Sequence, residues 1–417
     1  MDYDDEEERD SLSSEKESEE AMDEEASQYS FEQDESTVIA VTGGNGYLGS
    51  HIVTKLLERN IRVLATVRSL SKASVLNDLK MRYPGKLEIA EIRLEDFVTK
   101  WIDTLRGCKG IIHTASPNMF SPPRSQIDLI VPAVEGMVNI YKAAIEVGVK
   151  KIVLTGCISN VRAKWRDKEY SEEDWADVNR ISPIERSKLL AERTAWSLNT
   201  DYEKKIGLTV ILPGFLIGPS VLPHYDFASG QIIKQLAEGE VGKMLKMHLA
   251  TCDVRDAAEA HIAALYSRKK SNGKRFICVE NSHWFEEFSI EIADKFKPVG
   301  FTLPTETVPK WKVYMISRFD VGLRPMLQYY NKEIYYSNER LTEALNISYF
   351  PFAQSVETMI EDMIEKGSIK KLVPIEENDG NNGPKKKPEK DKGIFKRFCE
   401  FIKFWQKKKE KEPEKEE

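Results

Sequence analysis

The chain is short of everything that would build a metal centre or a disulfide framework. Its 417 residues include five cysteines (Cys108, Cys157, Cys252, Cys278, Cys399) with no CxxC pair, and six histidines without metal-ligand spacing. Reduced thiols in a cytoplasmic setting are the simple expectation, and no metal is expected. No run approaches the ~18 apolar residues of a membrane span. The start is acidic, which argues against a signal peptide or a mitochondrial presequence. No basic stripe with interleaved aromatics lies in the part expected to fold, so nucleic acid is not expected as a partner.

Apolar residues are nearly absent from positions 1–36, where Asp, Glu and Ser dominate. Such a segment cannot bury enough surface to offset its ordering entropy, and disorder is expected. The overall net charge of −7 hides a basic far end. There Ile394, Phe398, Phe401, Ile402 and Trp405 recur at helical spacing among lysines, predicting a basic amphipathic helix over 393–409. It could lie on an anionic membrane surface, seat its aromatic face in a protein groove, or fold back on the chain. The expected plan is an acidic tail (1–36), a folded part (37–370), a charged linker (371–392), this helix, and a charged tail (410–417).

The folded part is organised around Val41-Thr-Gly-Gly-Asn-Gly-Tyr-Leu-Gly49. Residues 38–41 are an apolar, β-branched run, as a buried parallel strand should be. Gly43, Gly46 and Gly49 follow at GxxGxxG spacing, opening a helix. Gly43 allows a sharp turn, Gly46 a close approach to a pyrophosphate, and Gly49 tight helix–strand packing. The first N–H groups of the helix, in the Tyr47-Leu48 turn, would face the phosphates. A tight turn without ligand is the plainer alternative. The next strand, 62–68, ends at Arg68, followed by Lys72, where NAD sites carry an acid for the ribose 2′-OH. A guanidinium there suits a 2′-phosphate, so NADP(H) is favoured over NAD(H).

Strands are expected at 87–92, 110–115, 151–155 and 208–212. Helices are expected at 74–83, 97–105, 127–147 and 185–202. That alternation predicts an α/β doubly wound parallel sheet of Rossmann type. Beyond Pro213 the pattern loosens. Helices are expected at 231–238, 256–266 and 285–296, and a strand at 275–279. These suggest a smaller substrate-side lobe, mainly 214–370, beside a nucleotide-binding part, mainly 37–213.

Jointly, the glycine motif, Ala65-Thr-Val-Arg68, Ile112-His-Thr-Ala-Ser-Pro117, Tyr170-Ser-Glu-Glu-Asp-Trp175, Ser187-Lys-Leu-Leu-Ala-Glu192, Leu212-Pro-Gly-Phe-Leu-Ile-Gly-Pro219 and the stretch from Asp253 to His261 carry a resemblance. The chain resembles the extended short-chain dehydrogenase/reductases of the dihydroflavonol, cinnamoyl-CoA and methylglyoxal reductase group, with an NAD-dependent epimerase/dehydratase-like fold. The resemblance implies that Gly43, Gly46, Tyr47, Leu48, Gly49, Arg68, Lys72, Ala115, Lys188 and Pro213 line a nicotinamide dinucleotide site. It also implies a Tyr-x-x-x-Lys pair, in which the lysine lowers the phenol's pKa, and a serine that holds the carbonyl oxygen. The lysine aligns with Lys188. The tyrosine position is Ile184, which has no proton to give, and the serine position is Cys157, a poor donor to an alkoxide. The only tyrosine followed four residues later by lysine is Tyr266, with Lys270, in the wrong place. The family's adenine-contacting acid is missing around Arg93 and Leu94. Glu185, one residue from the needed position, faces about 100° away on its helix. His224, where the family lines its substrate pocket, reads more simply as a surface side chain.

Three functional expectations follow. The first is an oxidoreductase-like pseudoenzyme that binds NADP(H) with impaired carbonyl-reductase chemistry, as a structural or sensing component. The second is a working NADPH-dependent carbonyl reductase with an altered proton donor. The third is a scaffold that binds no nucleotide.

Overall fold

Strands that are apolar on both faces dictate the architecture. Along β1 (Val38–Thr42), Ile39 and Val41 enter one buried layer and Ala40 the other. The same alternation holds in β2 (Arg62–Val67), β4 (Cys108–His113), β5 (Lys151–Thr155) and β6 (Gly207–Pro213), as a central parallel strand requires. The computed structural model describes residues 37–117, 127–162, 165–238, 243–296, 306–318 and 325–369. The acidic tail, the whole of the linker, the helix expected at 393–409 and the charged tail after it lie outside them.

With β3 (Leu87–Glu91) and β9 (Lys274–Cys278), these strands form one seven-stranded sheet in the order β3-β2-β1-β4-β5-β6-β9, parallel throughout. One layer is built by α1 (Tyr47–Glu58), α2 (Ser74–Arg82) and α7 (Val254–Tyr266). The other is built by α3 (Val98–Leu105), α4 (Ile127–Glu146) and α5 (Pro183–Asp201). This is the expected doubly wound sheet. Its strand order reverses between β1 and β4, which opens a crevice at their carboxyl ends.

A second sheet of three strands, in the order β10-β8-β7, was not expected. It comprises β7 (Phe215–Ile217), β8 (His248–Asp253) and β10 (Asn281–Trp284). With α6 (Ala228–Ala237), α8 (Phe285–Phe296) and α9 (Phe352–Glu365) it surrounds a core of Tyr225, Ile233, Phe288, Phe352, Met359 and Ile360. The division near Pro213 also needs correcting. Both α7 and β9 return to the large sheet, Ile211 pairing with Phe276 and Leu212 with Ile277, so residues 254–278 do not belong to the small lobe.

A buried lysine locks that return. Lys151, at the start of β5, donates to Ser267 O at 2.9 Å, to Asn272 Oδ1 at 2.7 Å and to Ser271 Oγ. Burial lowers its pKa to about 7.

Candidate functional site

The glycine turn has the geometry its spacing implies. Gly43 adopts φ +68°, a left-handed conformation that favours glycine. Its carbonyl accepts from Gly46 N at 2.9 Å, closing the turn. A Cβ on Gly49 would sit 2.2 Å from that same oxygen, so nothing larger than glycine fits there without moving backbone. Gly46 caps α1, whose first turn carries no acidic residue and no side-chain cap. Its leading N–H groups therefore stay available to an anion at the crevice.

Neighbouring strand ends are tied to this turn. Asn45 donates to Lys72 O at 3.0 Å, joining the glycine turn to the loop after β2. Arg68 is exposed at the end of β2, with no ion pair or side-chain hydrogen bond to any described residue. On the β4 side, Thr114 donates to Thr42 O at 2.6 Å and Ala115 N donates to Thr42 Oγ1 at 3.1 Å. The Thr42 hydroxyl thus accepts from Ala115 and is also hydrogen-bonded to His113 Nδ1 at 2.7 Å. Burial, helped by the nearby Lys188 ammonium, lowers the pKa of His113 to about 4. This Thr42–His113–Thr114 network was missed in the sequence, although all three residues lie inside the quoted motifs.

Every expected cofactor position is on the carboxyl edge of the sheet or the helix beside it. Gly43, Gly46, Tyr47, Leu48 and Gly49 follow β1; Arg68 and Lys72 follow β2; Ala115 follows β4; Pro213 closes β6. Tyr47 turns away from the crevice mouth: its hydroxyl donates to Gly218 O at 2.6 Å and its ring stacks on Phe227 at 3.9 Å. It ties the glycine turn to the small lobe, so only its backbone is left for a ligand. Leu48 is likewise buried in the apolar layer.

Lys188 lies in the second turn of α5, half-buried, with no hydrogen-bond or ion-pair partner among the described residues. Ile184, one turn earlier, is also half-buried. Cys157 follows β5 and opens the 3₁₀ turn Ile158–Asn160. Ser159 is buried, its hydroxyl without a partner among the described residues. Glu185 is already engaged. One of its oxygens accepts from Ser182 N at 2.8 Å in a capping box, and the other pairs with Arg162. A carboxylate so held cannot serve as a free acid. His224 is exposed and binds only its own loop, accepting from Asp226 N at 3.2 Å.

The segment Tyr170–Trp175 packs where Arg162 emerges. Tyr170 is buried, stacked on Tyr336 at 5.5 Å and covered by the Arg166 guanidinium at 4.5 Å. Arg162 lies 4.4 Å over the Tyr329 ring. Burial alone would lower its pKa, but the Glu185 carboxylate holds it above the ordinary value. No pattern in the sequence linked Arg162 to Tyr329 and Tyr336, which come from distant segments. A cavity of about 540 Å³ opens beside the Tyr170–Trp175 segment and the start of β9, lined by Ser171, Glu172, Lys270, Lys274, Ser337 and Arg340 among others.

A crevice at the strand-order reversal, floored by a glycine turn and an uncapped helix, is the setting that dinucleotides occupy in such sheets. The model of the NAD dependent epimerase/dehydratase family matches residues 39–278, more than half of the chain. The chain belongs to that family. It is 28% identical over 357 residues to cinnamoyl-CoA reductase 2 of Medicago truncatula, covering 82% of this chain and 95% of that protein. It is 32% identical over 303 residues to cinnamoyl-CoA reductase 1 of Arabidopsis thaliana, covering 68% and 84% respectively. The yeast methylglyoxal/isovaleraldehyde reductase, solved in complex with NADPH, superposes with a TM-score of 0.66 at 22% identity, covering 80% of this chain and 100% of that one. No helix among the described residues is long and apolar enough to cross a membrane.

Proposed function

We propose that the chain is an NADP(H)-dependent reductase of carbonyl groups, and that its proton donor does not stand four residues before the lysine. Arg68 carries this reading. It is a free guanidinium at the end of β2, hydrogen-bonded through its loop to the glycine turn, and no acid replaces it there to claim a ribose 2′-OH. The glycine turn and the first turn of α1 would hold the pyrophosphate, Ala115 and Pro213 would flank the crevice, and Lys188 would reach the nicotinamide ribose. When bound, the reduced nicotinamide would supply a hydride. The chain's own residues would orient the carbonyl and provide the proton. Several relatives are named as reductases, of cinnamoyl-CoA, dihydroflavonol or methylglyoxal, which supports turnover over a silent fold.

A second reading, a nucleotide-binding component with impaired turnover, is favoured by Ile184 and Cys157 and by the engagement of Glu185. The experiment that separates the two follows NADPH oxidation by the full chain against a panel of aldehydes and ketones, with Lys188→Met as the control. Turnover that depends on Lys188 supports the reductase. NADPH binding without turnover on any carbonyl supports the second reading. In either case the segment from Ile394 to Trp405 would add contact with an anionic membrane or a protein groove, which sedimentation with anionic vesicles tests.

A further inference from the structure

Reducing a carbonyl needs a proton as well as a hydride, and the carboxyl edge of β5 offers few groups that can give one. Glu185 is held by Ser182 and Arg162. The Tyr329 hydroxyl points back to the Arg162 carbonyl at 3.5 Å, with its ring beneath the guanidinium. Tyr170 is stacked behind Tyr336 under Arg166. Tyr336 differs from all of these. It is buried, only 9% exposed, yet its hydroxyl has no hydrogen-bond partner among the described residues and is not sealed off as an enclosed orphan. Two backbone bonds fix its position: Tyr170 N donates to Tyr335 O at 2.9 Å, and Ser337 N donates to Tyr170 O at 2.9 Å. These clamp the Tyr335–Ser337 segment, which packs in the same layer as α3, α4 and α5, against the loop after β5. Both the Arg162 guanidinium and the Cys157 thiol lie close enough to Tyr336 to act on it electrostatically.

We propose that Tyr336, delivered from the far end of the chain, is the proton donor of this crevice, with Arg162 as the positioning cation that compensates the phenolate. This rests on the reductase reading above. In the step, Tyr336 gives its phenolic proton to the carbonyl oxygen while a hydride from the reduced nicotinamide reaches the carbonyl carbon. The C=O π pair becomes the new O–H bond and the Tyr336 O–H pair stays on oxygen as phenolate. One proton taken up from solution then restores Tyr336, so the carbonyl, the reduced nicotinamide and that proton give an alcohol and the oxidised nicotinamide. Burial alone holds this phenol well above its ordinary pKa, and Arg162 opposes that. The positive ring of an oxidised nicotinamide at the crevice would add to the Arg162 effect. Tyr329, Tyr170 and Cys157 face the same phenol and raise its pKa.

The test compares the full chain with Tyr336→Phe in two measurements. The first is ultraviolet difference titration of tyrosinate from pH 8 to 12, with and without NADP+. The expected wild-type-minus-variant signal is one phenol whose ionisation moves to lower pH when NADP+ is present. A difference signal that NADP+ does not move overturns the proposal, whether or not any carbonyl is turned over. The second is NADPH-dependent reduction of whichever carbonyl the wild type accepts. Here kcat should fall at least about 100-fold, with NADPH affinity and melting temperature unchanged. Wild-type turnover that survives in Tyr336→Phe overturns Tyr336 and leaves the reductase reading standing. Absent wild-type turnover sinks that reading instead, while the titration still decides whether Tyr336 faces the nicotinamide.

Discussion

Two glycines of one turn should fail in different ways when given a methyl group. At Gly49 the new Cβ would stand 2.2 Å from Gly43 O, 3.0 Å from Gly43 C and 3.1 Å from Thr114 Oγ1. Two of these are backbone atoms, so the turn between β1 and α1 must open. Overpacking of this kind costs about 2 kcal/mol, which lowers the melting temperature of a folded part this size by roughly 3 °C. Opening the turn also spoils the phosphate cradle, so Gly49→Ala should lose stability and NADPH affinity together. At Gly46 the nearest atom to a new Cβ is Gly43 O at 3.2 Å, and φ is −84°, which alanine adopts freely. Gly46→Ala should keep its melting temperature within about 1 °C. Its methyl group would occupy the space a pyrophosphate needs, weakening NADPH at least about tenfold, or roughly 1.4 kcal/mol. Differential scanning fluorimetry and nicotinamide fluorescence read the two effects separately. Unchanged stability in Gly49→Ala, or unchanged affinity in Gly46→Ala, would refute the steric reasoning.

Four further expectations can be checked. Burial lowers the pKa of His51, His113 and His261 to about 4, against 6.5 in the unfolded chain. Their contribution is present above pH 6.5 and is lost as pH falls through 4, by up to about 3 kcal/mol each. The urea midpoint should therefore drop between pH 7 and pH 4.5, and a flat profile would contradict their burial as neutral rings. Ile184→Tyr combined with Cys157→Ser should raise kcat for carbonyl reduction if the second reading holds. In a working reductase Ile184→Ala should leave kcat within about threefold, and a large loss would show that Ile184 does more than fill space. Lys151→Met removes three hydrogen bonds from a buried clamp, at roughly 3 kcal/mol or more. It should lower the melting temperature without altering nucleotide affinity, and a selective loss of affinity would contradict its structural role.

The large sheet was legible because its signals are local. Apolar runs at β1, β2, β4, β5 and β6 are bounded by glycines and helical repeats, and the turn after β1 needs glycine at fixed offsets. The small sheet was not legible. Its strand Phe215–Ile217 has three residues, and His248–Asp253 mixes polar with apolar, so neither shows a clean period. The strand Lys274–Cys278 was found, but not its sheet, because parallel pairing with β6 is a long-range choice. Among the candidate site residues, the glycines and Arg68 could be proposed from spacing. The Arg162–Tyr336 arrangement could not, since stacking across the fold leaves no mark in either segment. The engagement of Glu185 was half-visible: Ser182 and Glu185 stand three apart, as a capping box requires, but its partner Arg162 is set by tertiary packing.

The central claim is that the crevice takes NADP(H) through Arg68. The most direct measurement titrates the full chain and Arg68→Ala with NADPH and NADH in parallel, at one ionic strength. Losing a charge-assisted contact to the 2′-phosphate costs about 1.5–3 kcal/mol, or roughly 10- to 150-fold in affinity. The account predicts tight NADPH binding and weak NADH binding to the full chain, with the difference nearly erased in Arg68→Ala. Equal binding of the two nucleotides, or an NADPH affinity indifferent to Arg68, would contradict it.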